Sequence, residues 1–254
     1  LPVSSAQLLT SLQDSDSSAS QVTQFVIHDP SLASLLLKTI NSSLYSFEKP
    51  ITDINRVIVL LGYEGVYQLI MAAGLSRCLP ETKIFQASYS KAIEMSQLAF
   101  AVAKASGKAS PVEMSTIGLL FDVGLLVSVV LRKQNPNFKD VLKLVDIGEL
   151  GGALLHTWEL PESISRTVSA QRHPKFAGPA SLTAELLNRI AILYVADQLH
   201  SQMMKGSKER ELYLEEYIAL LGWPGMSIEA VWKGKILPIL RARKNALPVS
   251  MREL

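Results

Sequence analysis

The chain has 254 residues, which is enough for one large domain or two small ones with a sizeable core. Hydrophobic residues make up 48% of it and the formal net charge is +2, so the composition indicates a well-packed soluble protein and does not predict nucleic-acid binding. The single cysteine, Cys78, excludes an intrachain disulfide and fits a reducing compartment. The N-terminus lacks the basic and apolar segments of a signal peptide, and a cytoplasmic protein is therefore expected.

Two apolar stretches stand out, at residues 57–75 and 117–131. Polar residues interrupt both of them, including Glu64 in the first and Asp122 in the second. The second stretch is also shorter than the ~20 residues that a membrane-spanning helix needs. Both are predicted to be core helices, and no membrane association is expected.

Capping and stop residues in the first third of the chain predict helices throughout it. Serine or aspartate precedes the apolar runs and can accept hydrogen bonds from the first free amides, while proline and glycine mark first turns and helix ends. Apolar spacing at residues 22–26 indicates a further helix. The boundary residues are, in chain order, Ser4 with Gln7, Asp29 with Pro30, Asn41 to Ser43, Asp53, Gly62 and Arg77.

The remaining elements are also predicted to be helical. A long helix is expected over residues 86–106, with Gly107 at its end. The segment Ser110–Glu113 combines a cap, a first-turn proline and a capping-box glutamate, which predicts a helix start. That helix should contain the apolar stretch 117–127, IGLLFDVGLLV, with Asp122 at its middle. Further helices are expected at 137–146, 149–158, 161–172, 181–203, 208–221 and 228–243, the last kinked or ended by Pro238. Since no strand alternation or hairpin turn occurs, the fold class is predicted to be all-α.

The sequence lacks the motifs of common catalytic sites. It contains neither a G-x-S-x-G nucleophile elbow nor a glycine-rich phosphate loop. Gly148, Gly151 and Gly152 are too sparse for a dinucleotide fingerprint and are predicted to allow close helix packing. The four histidines do not occur at the spacing of a common zinc site.

Asp122, His173 and Asp197 remain as candidates for a site. Both aspartates lie in apolar helical stretches, GLLFDVGLL and AILYVADQL. An unpaired buried carboxylate is costly, so each must be protonated, paired, bound to a metal or exposed to water in a cleft. On the residues alone, pairing with arginine, lysine or backbone amides is favoured over a shared cleft.

Several spaced motifs resemble the HDOD family, the HD-related output domain. DPSLASLLLKTINSSLY at 29–45 and ITDINRVIVLLG at 51–62 are similar to its N-terminal patterns. GLLFDVG at 118–124 is similar to the family's GLLHDIG, and LGGALLHTWELPESI at 150–164 to its LGxxLLxxWxLPexI. QRHP at 171–174 corresponds to its xxHH. The resemblance covers about residues 1–200, with the motifs in the family's order.

The family is similar to HD-domain metal phosphohydrolases, which hold divalent cations with a histidine, an adjacent His-Asp pair and a later aspartate. The resemblance places Lys91 at the first histidine and Phe121 at the histidine of the pair. Asp122 is retained, and Asp197 corresponds to the terminal aspartate. His173 is a weak third candidate ligand. Because a cation and an aromatic ring replace two of the four ligands, no metal or other cofactor is expected, and Lys91 is predicted to pair with Asp122.

The resemblance implies an all-α, multi-helical HD-like bundle with an additional N-terminal helical lobe. The expected division is an N-terminal lobe at 1–82, an HD-like bundle at 83–203 and a C-terminal helical extension at 204–254.

The implied function is a non-catalytic bacterial signalling module that contacts a protein partner or a ligand. The alternative is an HD-type, metal-dependent phosphohydrolase acting on a nucleotide or cyclic dinucleotide, in which Asp122, His173 and Asp197 would serve. A third possibility is a nucleic-acid-binding face in the basic segment 233–246, for which a solvated helix flank is the favoured interpretation. The sequence leaves the partner and the oligomeric state open.

Overall fold

The computed structural model describes residues 30–42, 45, 47, 50–77, 83–158, 160–206 and 212–254. The helices predicted around 4–12 and 22–26, the Asp29 cap and Cys78 lie outside these residues. Within them the chain forms helices and no strand, so the predicted all-α class is confirmed. Two compact units are present: one comprises the described residues up to Ser90 together with Leu240–Leu254, and the other comprises Lys91–Ile239.

The first unit contains helices α1 (Pro30–Ile40) and α2 (Ile54–Arg77). The side chain of Asn41 ends α1: its amide nitrogen donates to the carbonyl of Ile51 at 2.7 Å, and its oxygen accepts from the Ile51 amide at 2.8 Å. The Asp53 carboxylate accepts from the Asn55 amide at 3.0 Å at the start of α2. Gly62 interrupts α2 with φ +66° and ψ 171°, a conformation that favours glycine. These helix boundaries agree with the sequence predictions.

Helix α3 (Lys83–Ser106) contains the boundary between the two units, at Ser90 and Lys91. It ends at Gly107, as predicted, and this glycine has a left-handed conformation with φ +64°. Within the second unit, side chains of α3 from Ala92 onwards are buried almost continuously. The remaining helices are α4 (Pro111–Leu119), α5 (Val123–Gln134), α6 (Lys139–Leu142), α7 (Ile147–Thr157), α8 (Glu162–Ser169), α9 (Ala184–Leu199), α10 (Leu214–Leu220), α11 (Ile228–Val231), α12 (Leu237–Ala242) and α13 (Val249–Arg252).

The start of α4 agrees with the predicted capping box only in part. Ser110 is the N-cap, and its hydroxyl accepts from the Glu113 amide at 3.4 Å. The Glu113 carboxylate was predicted to complete a capping box, but it binds Arg189 at 3.2 Å and accepts from the Ser163 hydroxyl at 2.8 Å. A partly buried cation therefore takes the carboxylate away from the helix end.

The helix predicted through residues 117–127 is broken at 120–122, and this expectation was wrong. The two glycines on either side of the break contact different neighbours. A Cβ on Gly118 would lie 2.6 Å from the Met95 carbonyl oxygen on α3, and one on Gly124 would overlap the Ile147 carbonyl oxygen on α7. Because α4 must approach α3 and α5 must approach α7, the chain turns between them, with Phe121 and Asp122 in the turn.

Close packing by glycine also joins α7 to α8, as the sequence predicted. A Cβ on Gly148 would lie 2.5 Å from the Ser169 carbonyl oxygen, and one on Gly152 would lie 2.8 Å from the Ser165 carbonyl oxygen. Substitution at either glycine would push the two helices apart.

Several predicted helices are shorter than expected. The segment predicted as 137–146 contains a 3₁₀ turn at Pro136–Phe138 and the four-residue α6, because Phe138, Val141, Leu144 and Val145 are exposed and bury no apolar face. The helix predicted at 161–172 ends at Ser169, and that at 208–221 begins at Leu214. Pro238 does not end the last helix, since a π-helical turn at Trp232–Ile236 precedes it and α12 continues to Ala242.

The C-terminal residues are divided between the two compact units. Residues 204–239 belong to the unit Lys91–Ile239, and Leu240–Leu254 belong to the unit that contains α1 and α2. In that unit Leu240, Leu247 and Met251 are buried, and the guanidinium of Arg252 lies 4.7 Å from the Phe47 ring. The last helical residues are therefore packed within this compact unit.

The segment Pro111–Gln134 is long and apolar enough to cross a membrane by length and composition, with mean hydropathy 2.1 over its most apolar window. However, 67% of that window is buried inside the fold, as in the core helices of soluble proteins. The burial supports the interpretation of this stretch as core.

Candidate functional site

Lys91, Asp122 and Asp197 converge in the second unit from three elements: α3, the turn between α4 and α5, and α9. The Lys91 ammonium lies 3.1 Å from Oδ2 and 3.4 Å from Oδ1 of Asp122. It also lies 3.9 Å from Oδ1 of Asp197. One lysine therefore contacts both aspartates, and the ion pair expected between Lys91 and Asp122 is present.

The break in the apolar stretch makes the Asp122 carboxylate available to this pair. Asp122 occupies the N-cap position of α5, yet its side chain caps no amide there. The side chains of Asp122, Asp197 and Lys91 are 10%, 18% and 32% exposed, so Lys91 is the group with most access to solvent.

Phe121 forms one side of the site. The Lys91 ammonium lies 4.9 Å from the centroid of its ring, within the range of a cation–π interaction. An aromatic side chain has no lone pair to offer a metal, but the face of its ring stabilises a cation. Phe121 thus supports the positive charge of Lys91.

Asp197 has a perturbed pKa. Burial raises the pKa of its carboxyl group above its usual value, the positive charges of Lys91 and Lys175 act in the opposite direction, and the neighbouring Asp122 raises it further. Because burial is the largest contribution, Lys91 does not fully compensate the cost of ionising Asp197.

We therefore expect Asp197→Asn to change how stability depends on pH. A carboxyl whose pKa is raised in the folded state destabilises the protein as pH rises through that pKa, and the penalty is absent below the unfolded-state value of about 3.9. The free energy of unfolding of Asp197→Asn relative to the parent should rise with pH and then level off. Urea denaturation at a series of pH values from about 4 to 8 measures this, and parallel pH profiles would contradict it.

A second ionisable pair lies one turn further along, with Glu94 on α3 and His200 at the start of the π-helical turn His200–Met204 that continues α9. Nε2 of His200 is 2.8 Å from Oε2 of Glu94, and their side chains are only 6% and 4% exposed. The ammonium of Lys205 is 3.7 Å from the same oxygen. Glu94 follows Lys91 by three residues and His200 follows Asp197 by three, so each helix directs both of its residues to one face. The sequence interpretation missed this pair, although that spacing was available as a signal.

His173 does not contact the Lys91 cluster and forms hydrogen bonds with Tyr217 and Ser181 instead. Its Nδ1 is 3.3 Å from the Tyr217 hydroxyl, and its Nε2 is 3.0 Å from the Ser181 hydroxyl. Burial raises the pKa of Tyr217 to about 12, so this phenol stays protonated and donates to the Ala177 carbonyl at 3.2 Å. Both ring nitrogens of His173 therefore have partners other than Asp122 and Asp197.

The side chains at this site do not fit an HD-type metal centre. The two carboxylates of Asp122 and Asp197 lie beside the ammonium of Lys91, which is a cation, and the ring of Phe121 offers a metal no lone pair. In the part of the chain that the structure describes, no group of three or more His, Cys, Asp or Glu side chains is arranged to hold a metal ion. Asp122 and Asp197 provide two ligands, which is fewer than the three protein ligands of a typical catalytic metal site.

Comparison with known proteins identifies the family. The sequence model of the HDOD domain matches residues 1–174. A curated protein of Treponema pallidum (strain Nichols), named only as uncharacterized, is 26% identical over an alignment of 186 residues, and the match covers 66% of this chain and 36% of that protein. The chain therefore spans about a third of the length of this curated relative.

Solved structures share the fold at low sequence identity. An HDOD domain protein of unknown function from Geobacter sulfurreducens aligns with a TM-score of 0.66 at 19% identity, over 97% of this chain and 92% of the other. A protein of Marinobacter aquaeolei VT8, named as a candidate signal transduction protein, gives 0.68 at 20% identity, over 97% and 57%. A protein of Shewanella amazonensis SB2B, named as a candidate phosphohydrolase, gives 0.63 at 20% identity, over 100% and 93%.

Proposed function

Because the chain belongs to the HDOD family, we propose that it is a regulatory module of bacterial signalling that contacts a protein partner or a ligand and does not hydrolyse phosphoesters. It would act in the cytoplasm and respond to the state of an upstream sensor. The candidate signal transduction protein among its structural neighbours fits this proposal. The main observation that supports this proposal is the position of Lys91 between the two aspartates.

The Lys91 ammonium contacts both retained aspartates, at 3.1 Å from Asp122 and 3.9 Å from Asp197. It supplies there the positive charge that a divalent cation supplies in an HD phosphohydrolase. A metal ion entering between these carboxylates would meet a like charge a few ångströms away, and lysine would have to move or lose its proton. An internal cation thus keeps the two carboxylates in place without an ion.

The alternative function is a metal-dependent phosphohydrolase acting on a nucleotide or cyclic dinucleotide. Two observations favour it: Asp122 and Asp197 converge on one cation, and the solved neighbours include a candidate phosphohydrolase. Against it stands the donor set, since His173 is bound to Tyr217 and Ser181. Metal content and phosphodiester turnover decide between the two functions.

We expect the purified protein, incubated with Mg, Mn, Fe, Ni and Zn and then desalted, to retain no metal above a buffer control. Elemental mass spectrometry measures this directly. Turnover of bis(p-nitrophenyl) phosphate and of cyclic dinucleotides should equal that of Asp122→Ala. Near-stoichiometric metal that is lost in Asp122→Ala but kept in Asp140→Ala, together with turnover, would establish the phosphohydrolase instead.

A rebuilt variant sharpens this test. The double substitution Lys91→His and Phe121→His removes the internal cation and places imidazoles at both replaced positions. It should gain metal that the parent does not retain, and Asp122→Ala in the same background should abolish the gain. Equal metal content in parent and rebuilt variant would mean that Lys91 does not prevent binding.

A further inference from the structure

A basic and apolar surface lies on the second unit, around the short helix α6. Phe138, Val141 and Leu144 are 62%, 62% and 86% exposed, although all three are large apolar residues. Lys133 and Lys139, which are neighbours of these residues in the sequence, are exposed as well. We call these five residues the basic patch. A single exposed apolar side chain is ordinary, but several of them within residues 138–144 are typical of an interaction surface.

The positive charge of the basic patch is not compensated by the carboxylates nearest in sequence. Asp140, the carboxylate within its span, is paired at 2.8 Å with Lys143. Asp146, which follows, caps α7 and forms an ion pair with an arginine. In the described part of the chain, no salt bridge involves Lys133 or Lys139. A surface that covers the basic patch must therefore be both apolar and acidic.

A surface with these two properties is present on the same unit, at the start of α10. Leu212 and Tyr213 are 59% and 39% exposed, and the side chains of Glu215 and Glu216 are exposed beside them. We call these four residues the acidic patch. Neither glutamate takes part in a salt bridge among the residues that the structure describes. The two patches thus share an apolar character and have opposite charges.

The acidic patch contains a tyrosine in a strained backbone conformation. Tyr213 has φ +58° and ψ 10°, and within the described ranges it is the one non-glycine residue with a positive φ. The hydroxyl of Tyr194 donates to the Leu212 carbonyl at 2.7 Å, and a Cβ on Gly178 would lie 3.3 Å from the Tyr213 ring. Neighbouring groups therefore hold the strained segment in place. Such strain is typical of positions where a side chain is oriented for function, and here it orients a partly exposed tyrosine beside the glutamates.

We propose that the basic patch of one copy of this chain docks on the acidic patch of a second copy. Lys133 and Lys139 would face Glu215 and Glu216, and the exposed apolar side chains of both patches would pack against each other. Opposite charge selects this pairing, because two basic patches or two acidic patches would repel each other. The contact thus joins different surfaces of identical chains. It goes beyond the proposed function and does not rest on it, since neither patch includes Lys91 or the aspartates that it contacts.

Sedimentation velocity of the intact chain at about 0.1 M salt tests the proposal by charge exchange. The parent should self-associate as its concentration rises to about 200 µM, a range that covers weak interfaces. The double variant Lys133→Glu with Lys139→Glu should stay monomeric, and so should Glu215→Lys with Glu216→Lys, because each makes the contact one of like charges. An equimolar mixture of the two double variants should associate again, since their reversed charges match. A monomeric parent, or a mixture that stays monomeric, would overturn the proposal.

Matched variants separate the patches from general effects of charge and apolar surface. The double variant Lys38→Glu with Arg56→Glu makes the same change in net charge at exposed positions of the first unit, and it should associate like the parent. Leu144→Ser should weaken association by at least about fivefold, because it removes an apolar side chain from the contact. Val59→Ser changes a residue of the first unit that is 83% exposed, and it should have no such effect. Equal losses in patch and control variants would overturn the proposal.

An anionic lipid surface is the other occupant that suits a basic and apolar patch. Flotation of the parent with vesicles of phosphatidylglycerol and phosphatidylcholine, compared with vesicles of phosphatidylcholine alone, tests for it. No binding to either kind of vesicle is expected. A parent that stays monomeric and binds only the anionic vesicles, with binding lost in Lys133→Glu with Lys139→Glu, would overturn self-association and assign the basic patch to a membrane surface.

Discussion

Replacing Lys91 by methionine is expected to destabilise the protein by about 2 kcal/mol at neutral pH, because it removes the cation that contacts both carboxylates. A fully buried pair would cost about 3–5 kcal/mol on loss of one partner, but Lys91 is 32% exposed and solvent screens part of the penalty. Urea denaturation measures the loss. Asp122→Asn should also destabilise, and this effect is not confounded with a lost helix cap because Asp122 makes no capping hydrogen bond.

The pH dependence of the Lys91→Met penalty provides a second readout. Lys91 lowers the pKa of Asp197, which burial raises. Its loss therefore raises that pKa further, so the penalty is present above the folded-state pKa and disappears as pH falls below the unfolded-state value. In a double-mutant cycle, Lys91→Met with Asp122→Asn should cost less than the sum of the two single changes.

Lys143→Met is the matched control for this ion pair. Lys143 lies 2.8 Å from Asp140, closer than Lys91 lies to Asp122, but the two side chains are 52% and 91% exposed. Solvent screens an exposed pair of this kind, so its loss should change stability little. A Lys91→Met penalty no larger than that of Lys143→Met, together with a neutral Asp122→Asn, would contradict the role we assign to the internal cation.

Gly124→Ala is expected to destabilise the protein by on the order of 3 kcal/mol or more, or to prevent folding. The added methyl group would overlap the Ile147 carbonyl oxygen and would also lie 2.7 Å from the Gly151 amide nitrogen. Both obstacles are backbone atoms of α7, which cannot rotate away as a side chain would. Helix α5 would have to move, and with it the preceding turn that carries Asp122.

Gly234→Ala is the matched control for Gly124→Ala. It makes the same chemical change at a glycine with open space around the new Cβ, inside the π-helical turn Trp232–Ile236. Its effect should stay within about 1 kcal/mol and can be stabilising, because alanine reduces the entropy of the unfolded chain. Circular dichroism during urea unfolding compares the two variants, and equal stabilities would contradict the close approach of α5 to α7.

The candidate site was predictable only in part. The contact of Lys91 with Asp122 followed from the order of motifs, because the family's pattern places both residues in one cleft. The hydrogen bonds of His173 with Ser181 and Tyr217 could not be predicted, because neither partner belongs to a motif. The Glu94–His200 pair was also missed: its members are 106 residues apart, and the only signal in the sequence was that they follow Lys91 and Asp197 by the same three residues.

The sequence by itself determined the all-α class and several helix ends in the described part of the chain. Those ends depend on local physics: the Ser110 hydroxyl binds an amide three residues away, and Gly62 and Gly107 adopt backbone angles that other residues avoid. Only the tertiary structure decided the break at 120–122, the division into units and the charge pairing around Lys91. These features arise where backbones from distant parts of the chain approach each other, as Gly124 approaches Ile147, and such contacts are set by packing instead of by neighbours in sequence.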